Sequence, residues 1–363
     1  MVKMIDGKTL LENTDYISSL QNTVSKKFPW KDLCGKTVLV AGAAGLLGSF
    51  LVDSLMYANK RYDLQMRIIA LGRNIEKLKK RFSAYCNSNY FTIVSQNISI
   101  SFSAELLKMK TDYIFHLASN THPIDYSTKP IDTIIANILG TKNLLDLAVL
   151  HNSQRFIFAS SVEIYGENRG DTEKFREDYC GYIDCNTVRA GYPEGKRAGE
   201  ALCQAYIREK NLDVVIPRFC RVYGETMLMS DSKAISQFIK NALSKENIVL
   251  KSDGSQLYSY IYVADAVSAL LYCLFYGKTG EAYNIADEKS DITLKELAAI
   301  LATLSNAKVV FDIPNETERR GFSKATKAVL DSAKIRKLGW CADFAIKNGI
   351  THTLNILKES KAF

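Results

Sequence analysis

The sequence predicts an α/β fold in which a doubly wound parallel sheet is followed by a smaller C-terminal lobe. From Thr37 onward, short runs rich in Val, Ile, Leu and Phe alternate with longer helical patterns. Such alternation is typical of a parallel sheet that helices cover on both faces. A glycine-rich turn closes the first of these runs, and the alternation loosens past Gly224. These observations divide the chain into an N-terminal extension over residues 1–35, a sheet domain over 36–224 and the lobe over 225–363, with an approximate last boundary.

Six apolar runs are predicted to be strands, because each is short and rich in β-branched or large apolar residues. They are residues 37–41, 67–71, 92–95, 113–117, 155–160 and 214–218. The stretches 46–62 and 128–152 are long enough for crossover helices. The N-terminal extension is predicted to be helical, since Leu10, Ile17 and Leu20 recur at roughly helical spacing.

The balance of charges gives no support for nucleic-acid binding. The 47 Lys and Arg residues exceed the 39 Asp and Glu residues and give a formal charge of +8, but the two signs are interleaved along the chain. The densest basic run, Lys77 to Arg81, is interpreted as a solvated helix face. A mildly positive surface would suit a small anionic ligand.

Cysteine usage and the N-terminal residues predict a cytoplasmic protein. The eight cysteines form no C-x-x-C pair and no metal-ligand spacing, so we expect reduced thiols and no metal site. Residues 1–20 mix charged and polar residues with short apolar stretches and hold no signal-peptide core. No run of 18 apolar residues occurs, so no membrane insertion is expected.

The turn after the first predicted strand carries a glycine fingerprint. Gly42, Gly45 and Gly48 lie between an apolar run and a predicted helix that begins with Leu46 and Leu47. Glycine lets the backbone turn tightly and approach a pyrophosphate, while the helix N-terminus supplies N–H donors. In this context the turn predicts a Rossmann-type dinucleotide site rather than a plain small-residue turn.

The residue after the second predicted strand bears on which dinucleotide is bound. An acid there usually holds the ribose 2′-hydroxyl of NAD, whereas the 2′-phosphate of NADP needs a cation. The chain has Leu71-Gly72-Arg73-Asn74 at this point. Arg73 therefore favours NADP over NAD, although a role as a solvated loop residue explains it equally well.

A second cluster combines a serine-rich strand end with a Tyr-Lys pair. Ser161 and Glu163 follow the fifth predicted strand, and Tyr192 and Lys196 lie four residues apart. At helical spacing the last two share one face, so the ammonium of Lys196 can stabilise a phenolate and lower the pKa of Tyr192. A tyrosine with a lowered pKa can act as a base near neutral pH. Together with the glycine fingerprint, this cluster predicts a catalytic site that uses the dinucleotide.

These motifs resemble the extended short-chain dehydrogenase/reductase family, which includes nucleotide-sugar epimerases, dehydratases and decarboxylases. The resemblance runs from about Lys36 to Trp340, and within the family the decarboxylases of UDP-glucuronate look most similar. The segments that carry it are His116-Leu117-Ala118-Ser119, Pro130-Ile131-x-Thr133, Asn137-x-x-Gly140-Thr141-x-Asn143 and Arg189-x-x-Tyr192-x-Glu194-Gly195-Lys196-Arg197.

The resemblance implies a bound NAD or NADP that oxidises the sugar of a nucleotide sugar at C4. Tyr192 would be the base, Lys196 would hold its pKa and the nicotinamide ribose, and Ser161 would bond the reacting hydroxyl. Glu163 would assist decarboxylation or proton abstraction at C5, unless it is a surface acid at a strand end. Further cofactor contacts are expected from Leu117, Ala118, Ser119 and Asn137, and the family pattern also implies a homodimer.

Three positions depart from the family pattern where the substrate is chosen. Val162 replaces the usual Ser, Thr or Asp, so an acid for expelling a C6 hydroxyl is missing. Tyr258 replaces an arginine that clamps diphosphate or carboxylate, and Arg221 stands where Asn is usual. Because a guanidinium binds either anion bidentately, we expect Arg221 to supply the displaced charge. His122, on a loop near the expected sugar pocket, is a further candidate for substrate contact.

Four interpretations of the function follow. The leading one is decarboxylation or elimination through a 4-keto sugar. A 4-epimerase would need only Ser161, Tyr192 and Lys196, and an NADPH-dependent 4-ketoreductase would fit the absence of an acid after the second strand. The alternative from another class is a catalytically silent dinucleotide-binding protein, which would have no reason to keep these three side chains together.

Overall fold

The main sheet contains eight strands, all paired in parallel. The computed structural model describes residues 6–121, 126, 128–312 and 325–360. The strands of the sheet are β1 (Thr37–Ala41), β2 (Arg67–Gly72), β3 (Phe91–Ser95), β4 (Tyr113–His116), β5 (Arg155–Phe158), β6 (Ser160–Ser161), β7 (Val214–Phe219) and β11 (Ala282–Ile285). Their order is β11-β7-β5-β4-β1-β2-β3, with β6 beside β7. This doubly wound arrangement confirms the predicted fold class.

The predicted strands match the observed ones closely, with two informative differences. The fifth predicted strand is two strands, because the ladder breaks at Ala159, whose carbonyl accepts a hydrogen bond of 2.7 Å from Lys196 Nζ. Strand β11 lies in the main sheet beside β7 although it belongs to the half of the chain predicted as the lobe. The chain therefore returns to the sheet after entering the lobe, and the boundary at residue 224 stays an approximate prediction.

Helices cover both faces of the sheet. In the described ranges they are α1 (Gly7–Glu12), α2 (Thr14–Val24), α3 (Leu46–Tyr62), α4 (Ile75–Arg81), α5 (Ala104–Lys108), α6 (Pro130–Leu150), α7 (Gly191–Lys210), α8 (Ala234–Leu243), α9 (Val263–Tyr276), α10 (Leu294–Ser305), α11 (Ala333–Arg336) and α12 (Ile346–Glu359). Short 3₁₀ turns lie at Trp30–Leu33, Ser83–Tyr85, Val162–Tyr165, Val188–Ala190 and Glu288–Ser290.

Strand β1 shows how the sequence fills both layers. Successive side chains of a strand point to opposite faces, and all four residues from Val38 to Ala41 are buried. Val38 and Val40 join the core that holds α3 and α9, whereas Leu39 and Ala41 join the core that holds α6 and α7. A strand buried on both faces is therefore a continuous apolar run rather than an alternating one.

A second, four-stranded sheet supports the lobe. It consists of β8 (Arg221–Tyr223), β10 (Leu257–Tyr262), β12 (Asp291–Thr293) and β14 (Lys327–Ala328), with β10 paired to the other three. Strands β9 (Ile248–Leu250) and β13 (Val309–Phe311) form a separate, two-stranded parallel sheet. Strand β8 follows β7 after the single residue Cys220, so the two sheets are joined almost directly.

The N-terminal helices pack against the sheet domain through buried polar contacts. Tyr16 on α2 donates a hydrogen bond of 2.5 Å to Asp53 on α3, and Arg81 at the end of α4 binds both of them. All three side chains are buried. The pairing of Arg81 with Asp53 compensates the cost of burying either charge alone.

A second buried chain of hydrogen bonds connects the same helices to the lobe. Ser19 contacts His352 Nε2 at 2.8 Å and the hydroxyl of Tyr262 at 3.3 Å. Tyr262 in turn donates to Glu225 at 2.9 Å. Glu225 is fully buried, and this burial raises its pKa from 4.5 to about 7.

Helix α6 is long and apolar enough to span a membrane by length and composition, and it is the one such helix in the described residues. Of its most apolar window, 44% is buried inside the protein. Core helices of soluble proteins pass the same test, so this observation is weak evidence for a membrane.

We expect the buried carboxyl of Glu225 to weaken the fold as the pH rises. The folded state retains its proton between pH 4.5 and about 7, where the unfolded chain has released it, so the free energy of unfolding falls across this window. Replacement by Gln keeps an acceptor for Tyr262 and removes the titration. Thermal unfolding from pH 5 to 8 should show Glu225→Gln gaining about 1–3 kcal/mol over the parent as the pH rises.

Asp265 provides the internal control, since burial raises its pKa to about 7 as well and both proteins retain it. The difference between the two proteins therefore reports Glu225 alone. Parallel stability profiles for the parent and Glu225→Gln would contradict the assignment.

Candidate active site

A large cleft opens at the carboxyl ends of the parallel strands. Its volume is about 1260 Å³, and it passes the point between β1 and β4 where the strand order reverses. Ligands of doubly wound sheets bind at this point. The lobe contributes the opposite wall through Arg221, Lys233 and Tyr258.

The glycine turn forms one end of the cleft and fits the pyrophosphate of a dinucleotide. Gly42 has a positive φ of 84°, and a Cβ there would lie 2.7 Å from the amide nitrogen of Ala118. A Cβ on Gly48 would lie 2.3 Å from the carbonyl oxygen of Gly42. Side chains at these positions would therefore collide with the protein backbone, so the close packing of this turn requires glycine at both. Gly45 precedes the first residue of α3, so the free N–H groups at this helix end face the cleft.

The end of β4 contributes a second part of the predicted cofactor site. Leu117, Ala118 and Ser119, which were predicted to contact the cofactor, line the cleft. Asn137 is fully buried and is not among the lining residues. It accepts a hydrogen bond of 2.9 Å from Ser119 Oγ, so the structure places it behind the cleft, where it orients Ser119. Asn137 was predicted to contact the cofactor directly, but in the structure it contacts Ser119 and does not line the cleft.

Ser161, Tyr192 and Lys196 come together at the centre of the cleft. Ser161 ends β6, and Tyr192 and Lys196 lie one turn apart on α7. The Ser161 hydroxyl lies near that of Tyr192 and acts to lower its pKa. Lys196 Nζ donates to Ala159 O at 2.7 Å and lies 4.9 Å from the centre of the Phe158 ring.

The pKa of Tyr192 differs from the sequence expectation. Burial raises it to about 12, although the hydrogen bond from Ser161 and the charge of Arg189 act in the opposite direction. Burial disfavours the charged form of Lys196 as well, and for this cation it lowers the pKa, to about 8. The predicted lowering of the tyrosine pKa by Lys196 is therefore absent here, because desolvation dominates and the ammonium is bound to a backbone carbonyl.

Glu163 lies next to this trio and is paired with an arginine. Its carboxylate accepts a hydrogen bond of 2.8 Å from Arg189. The Arg189 guanidinium also lies 4.6 Å from the ring centre of Tyr126, and the Tyr126 ring stacks on Tyr192 at 4.9 Å. Arg189 and Tyr126 therefore connect Glu163 to Tyr192 through direct side-chain contacts.

Arg189 and Tyr126 were not predicted as site residues. Arg189 stands three residues before Tyr192 in the motif that carried the family resemblance, and this was the available signal. Its Nε and Nη1 groups are buried without a hydrogen-bond partner among the described residues. Tyr126 carried no signal, because its stacking partner lies 66 positions away in the sequence.

The two substrate candidates of the lobe contact each other. The central carbon of the Arg221 guanidinium lies 3.3 Å from the ring centre of Tyr258. Tyr258 donates its hydroxyl proton to Ala325 O at 2.7 Å, so its ring is a fixed platform. The charge of Arg221 therefore lies directly over the ring of Tyr258. His122 lies outside the described residues.

His116 is not placed for catalysis. It is fully buried at the end of β4, and its Nε2 contacts Thr141 Oγ1 at 2.9 Å. Burial and the nearby charge of Lys196 lower its pKa well below 6.5. The residue is therefore a neutral packing group behind the cleft.

Residues 38–286 match the model of the NAD dependent epimerase/dehydratase family. UDP-glucuronic acid decarboxylase 4 of Arabidopsis thaliana is 30% identical over 316 residues, which is 86% of this chain and 66% of that protein. UDP-glucuronic acid decarboxylase 1 of Danio rerio is 28% identical over 346 residues, covering 93% of this chain and 77% of the relative.

Two solved structures share the fold at lower identity. One is the dTDP-glucose 4,6-dehydratase DesIV of Streptomyces venezuelae with NAD bound, at a TM-score of 0.76 and 24% identity, covering 89% of this chain and 97% of that chain. The other is UDP-glucuronic acid 4-epimerase of Bacillus cereus with UDP-glucuronic acid and NAD, at a TM-score of 0.75 and 21% identity, covering 89% and 99%.

Proposed function

Because the chain belongs to the NAD dependent epimerase/dehydratase family, we propose that it decarboxylates a nucleotide-linked uronic acid through a 4-keto intermediate. Family membership makes it an enzyme of nucleotide sugars that uses NAD or NADP. The decarboxylation step is supported by two relatives that are UDP-glucuronic acid decarboxylases. The observation that carries it is the position of Glu163 beside Ser161 and Tyr192, held at 2.8 Å by Arg189.

Ser161 and Tyr192 handle the proton of the C4 hydroxyl. Tyr192 accepts it, with the Ser161 hydroxyl beside the phenol. When bound, NAD(P)⁺ would accept hydride from C4 and later return it, and its positive charge would lower the pKa of the adjacent phenol. Lys196 is held by Ala159 O at 2.7 Å and lines the cleft, where it would hold the nicotinamide ribose of the bound cofactor.

The 4-keto sugar is a β-keto acid, so its carboxylate can leave as CO₂. The electron pair of the broken bond moves to the C4 oxygen, where the Tyr192 hydroxyl donates a hydrogen bond. One proton must then be taken up from solvent and added at C5, and Glu163, whose carboxylate lies beside the reacting trio, would pass it from water to this carbon. The unpartnered N–H groups of Arg189 would orient the carboxylate of the substrate before it leaves.

The diphosphate of the substrate is assigned to the lobe. Arg221 and Lys233 line the cleft on this side, and Arg221 Nη1 has no hydrogen-bond partner among the described residues. Charge reversal in Arg221→Glu should raise KM by about 10-fold or more and leave cofactor binding intact. Unchanged substrate affinity in this variant would refute the assignment.

A 4-epimerase is the second candidate, since Ser161, Tyr192 and Lys196 suffice for it. The two reactions differ in what Glu163 must do. An epimerase has no use for this carboxylate, whereas the lyase needs it for the proton at C5.

The decisive test is a panel of UDP-, GDP-, CDP- and dTDP-sugars, including the uronic acids, analysed by mass spectrometry. We expect a product that has lost CO₂. Glu163→Gln should reduce CO₂ release by about 100-fold or more, because it removes a proton donor of the reaction. Glu194→Gln is the matched control, since Glu194 also pairs with an arginine, Arg197 at 3.3 Å, but does not line the cleft. A product of unchanged mass formed equally by the parent and Glu163→Gln would establish the epimerase instead.

We further propose a cytoplasmic homodimer in which the exposed apolar residues of α6 face a second copy. Ile131, Leu139 and Leu150 of this helix are exposed, as is Val188 just before α7. This pairing would cover the exposed apolar side chains that contribute to the high hydropathy of α6.

Ile131→Glu should convert a dimer to a monomer in light scattering, since the side chain is 76% exposed and a charge there would be buried in the interface. Phe311→Glu is the control, because Phe311 is also exposed, at 60%, but belongs to β13 rather than to α6. A monomeric parent protein, or recovery of the protein in salt-washed membranes, would contradict this proposal.

A further inference from the structure

Glu163 and Arg189, which form the ion pair beside the reacting trio, both lie on irregular backbone. Glu163 belongs to the 3₁₀ turn Val162–Tyr165, and Arg189 belongs to the turn Val188–Ala190 just before α7. Residues 166–190 connect the first turn to α7, and besides the second turn their regular pairing consists of isolated bridges. The position of the carboxylate therefore depends on the side chains that hold the turn and this connection.

Arg197 on α7 binds the turn and the connection at the same time. Its Nε donates to Ile164 O at 2.8 Å, and its Nη2 donates to Gly181 O at 2.7 Å. Its Nη1 donates to Glu194 on the same helix at 3.3 Å. Because Ile164 is the residue after Glu163, the first of these bonds fixes the backbone that carries the carboxylate.

Arg218 on β7 makes the same three kinds of contact. Its Nε and Nη2 donate to the two carboxylate oxygens of Glu200 on α7, at 3.0 and 2.7 Å. Its Nη1 donates to the hydroxyl of Tyr165 at 2.9 Å and to Glu177 O at 2.7 Å. The planar guanidinium, with five N–H donors, can make all of these bonds together. Each arginine therefore joins the turn, the connection and α7.

The turn and the connection pack closely where these bonds are made. A Cβ on Gly166 would lie 2.2 Å from Tyr182 O, and a Cβ on Gly181 would lie 2.1 Å from Tyr165 O. Glu167 N also donates to Tyr182 O at 2.9 Å. The two segments are therefore in close backbone contact, and the two arginines attach them to α7.

The reacting trio itself does not depend on these bonds. Ser161 is held by the pairing of β6 with β7. Tyr192 and Lys196 belong to α7, and Lys196 is bound to Ala159 O. Glu163 lies on a different element from Tyr192, so the distance between the two side chains depends on how the turn is attached to α7.

We propose that Arg197 and Arg218 are positioning residues that hold the carboxylate of Glu163 where it passes a proton to C5 of the substrate. Neither arginine lines the cleft, so both act through the backbone of the turn. The inference rests on the proposed function, which gives Glu163 this step. After the bond from C5 to the carboxyl carbon has broken, a proton from solvent forms the new C–H bond, and no oxidant or reductant is consumed.

A double-mutant cycle tests whether Arg197 acts through Glu163. Arg197→Ala should lower kcat for the decarboxylated product by about 10-fold or more and leave KM within about 2-fold, because a displaced catalytic group slows its step without removing a substrate contact. In the Glu163→Gln background the same substitution should change kcat by less than about 2-fold. Arg197→Lys can still bind one carbonyl and should recover part of the loss. Arg208→Ala is the matched control, since Arg208 is exposed in the last turn of α7, and it should change neither constant.

The stereochemistry of protonation gives a readout that a merely structural role would not move. In D₂O the parent should place deuterium at one of the two hydrogen positions of C5, because Glu163 delivers it from one side. Arg197→Ala and Glu163→Gln should both give a mixture of the two positions, since water then supplies the deuteron from either side. NMR of the product measures the ratio, and thermal unfolding of each variant checks that it is folded.

Arg218 is tested together with its partner, because its loss alone would leave the largely buried Glu200 unpaired. The double variant Arg218→Met, Glu200→Met should show the same dependence on Glu163 as Arg197→Ala. For either arginine, equal losses of kcat in the two backgrounds, or deuterium retained at one position, would overturn its assignment while CO₂ release by the parent upholds the proposed function. A parent that releases no CO₂ would overturn both.

Discussion

The common direction of the strands in the main sheet determines where the strand-end parts of the site lie. Parallel pairing brings the carboxyl end of each strand to one edge. The glycine turn follows β1, Arg73 follows β2 and Ser119 follows β4, while Ser161 ends β6. These groups are far apart in the sequence and adjacent in space for this single reason. The helices and the lobe then close the two sides of a cleft that the sheet has already placed.

The same constraint explains how much of the molecule the sequence predicts. Strands buried on both faces are short apolar runs, and the six predicted runs agree with β1 to β7 to within two residues at each end. Gly42 and Gly48 could be assigned because a side chain at either position would collide with backbone. The Tyr192–Lys196 pair could be assigned because a helix repeats every 3.6 residues. In each case the signal is local, in spacing or in residue type.

The features that escaped prediction depend on contacts between distant segments. The pairing of Arg189 with Glu163 and the stacking of Tyr126 on Tyr192 join separate loops, and no local pattern encodes them. Strand β11 is a short run in the half of the chain where strands and helices alternate less regularly. Only its pairing with β7 shows that it belongs to the main sheet. The raised pKa of Tyr192 is a property of its burial, which a helical spacing rule does not contain.

The single residue between β7 and β8 brings two parts of the cleft together through the backbone. Cys220 is buried, and each strand beside it is paired within its own sheet, β7 with β11 and β8 with β10. Ser161 pairs with Phe219, which stands two residues before Arg221. The residue that ends β6 and the first cation of the lobe are therefore set beside each other by a short piece of chain, without any contact between their side chains.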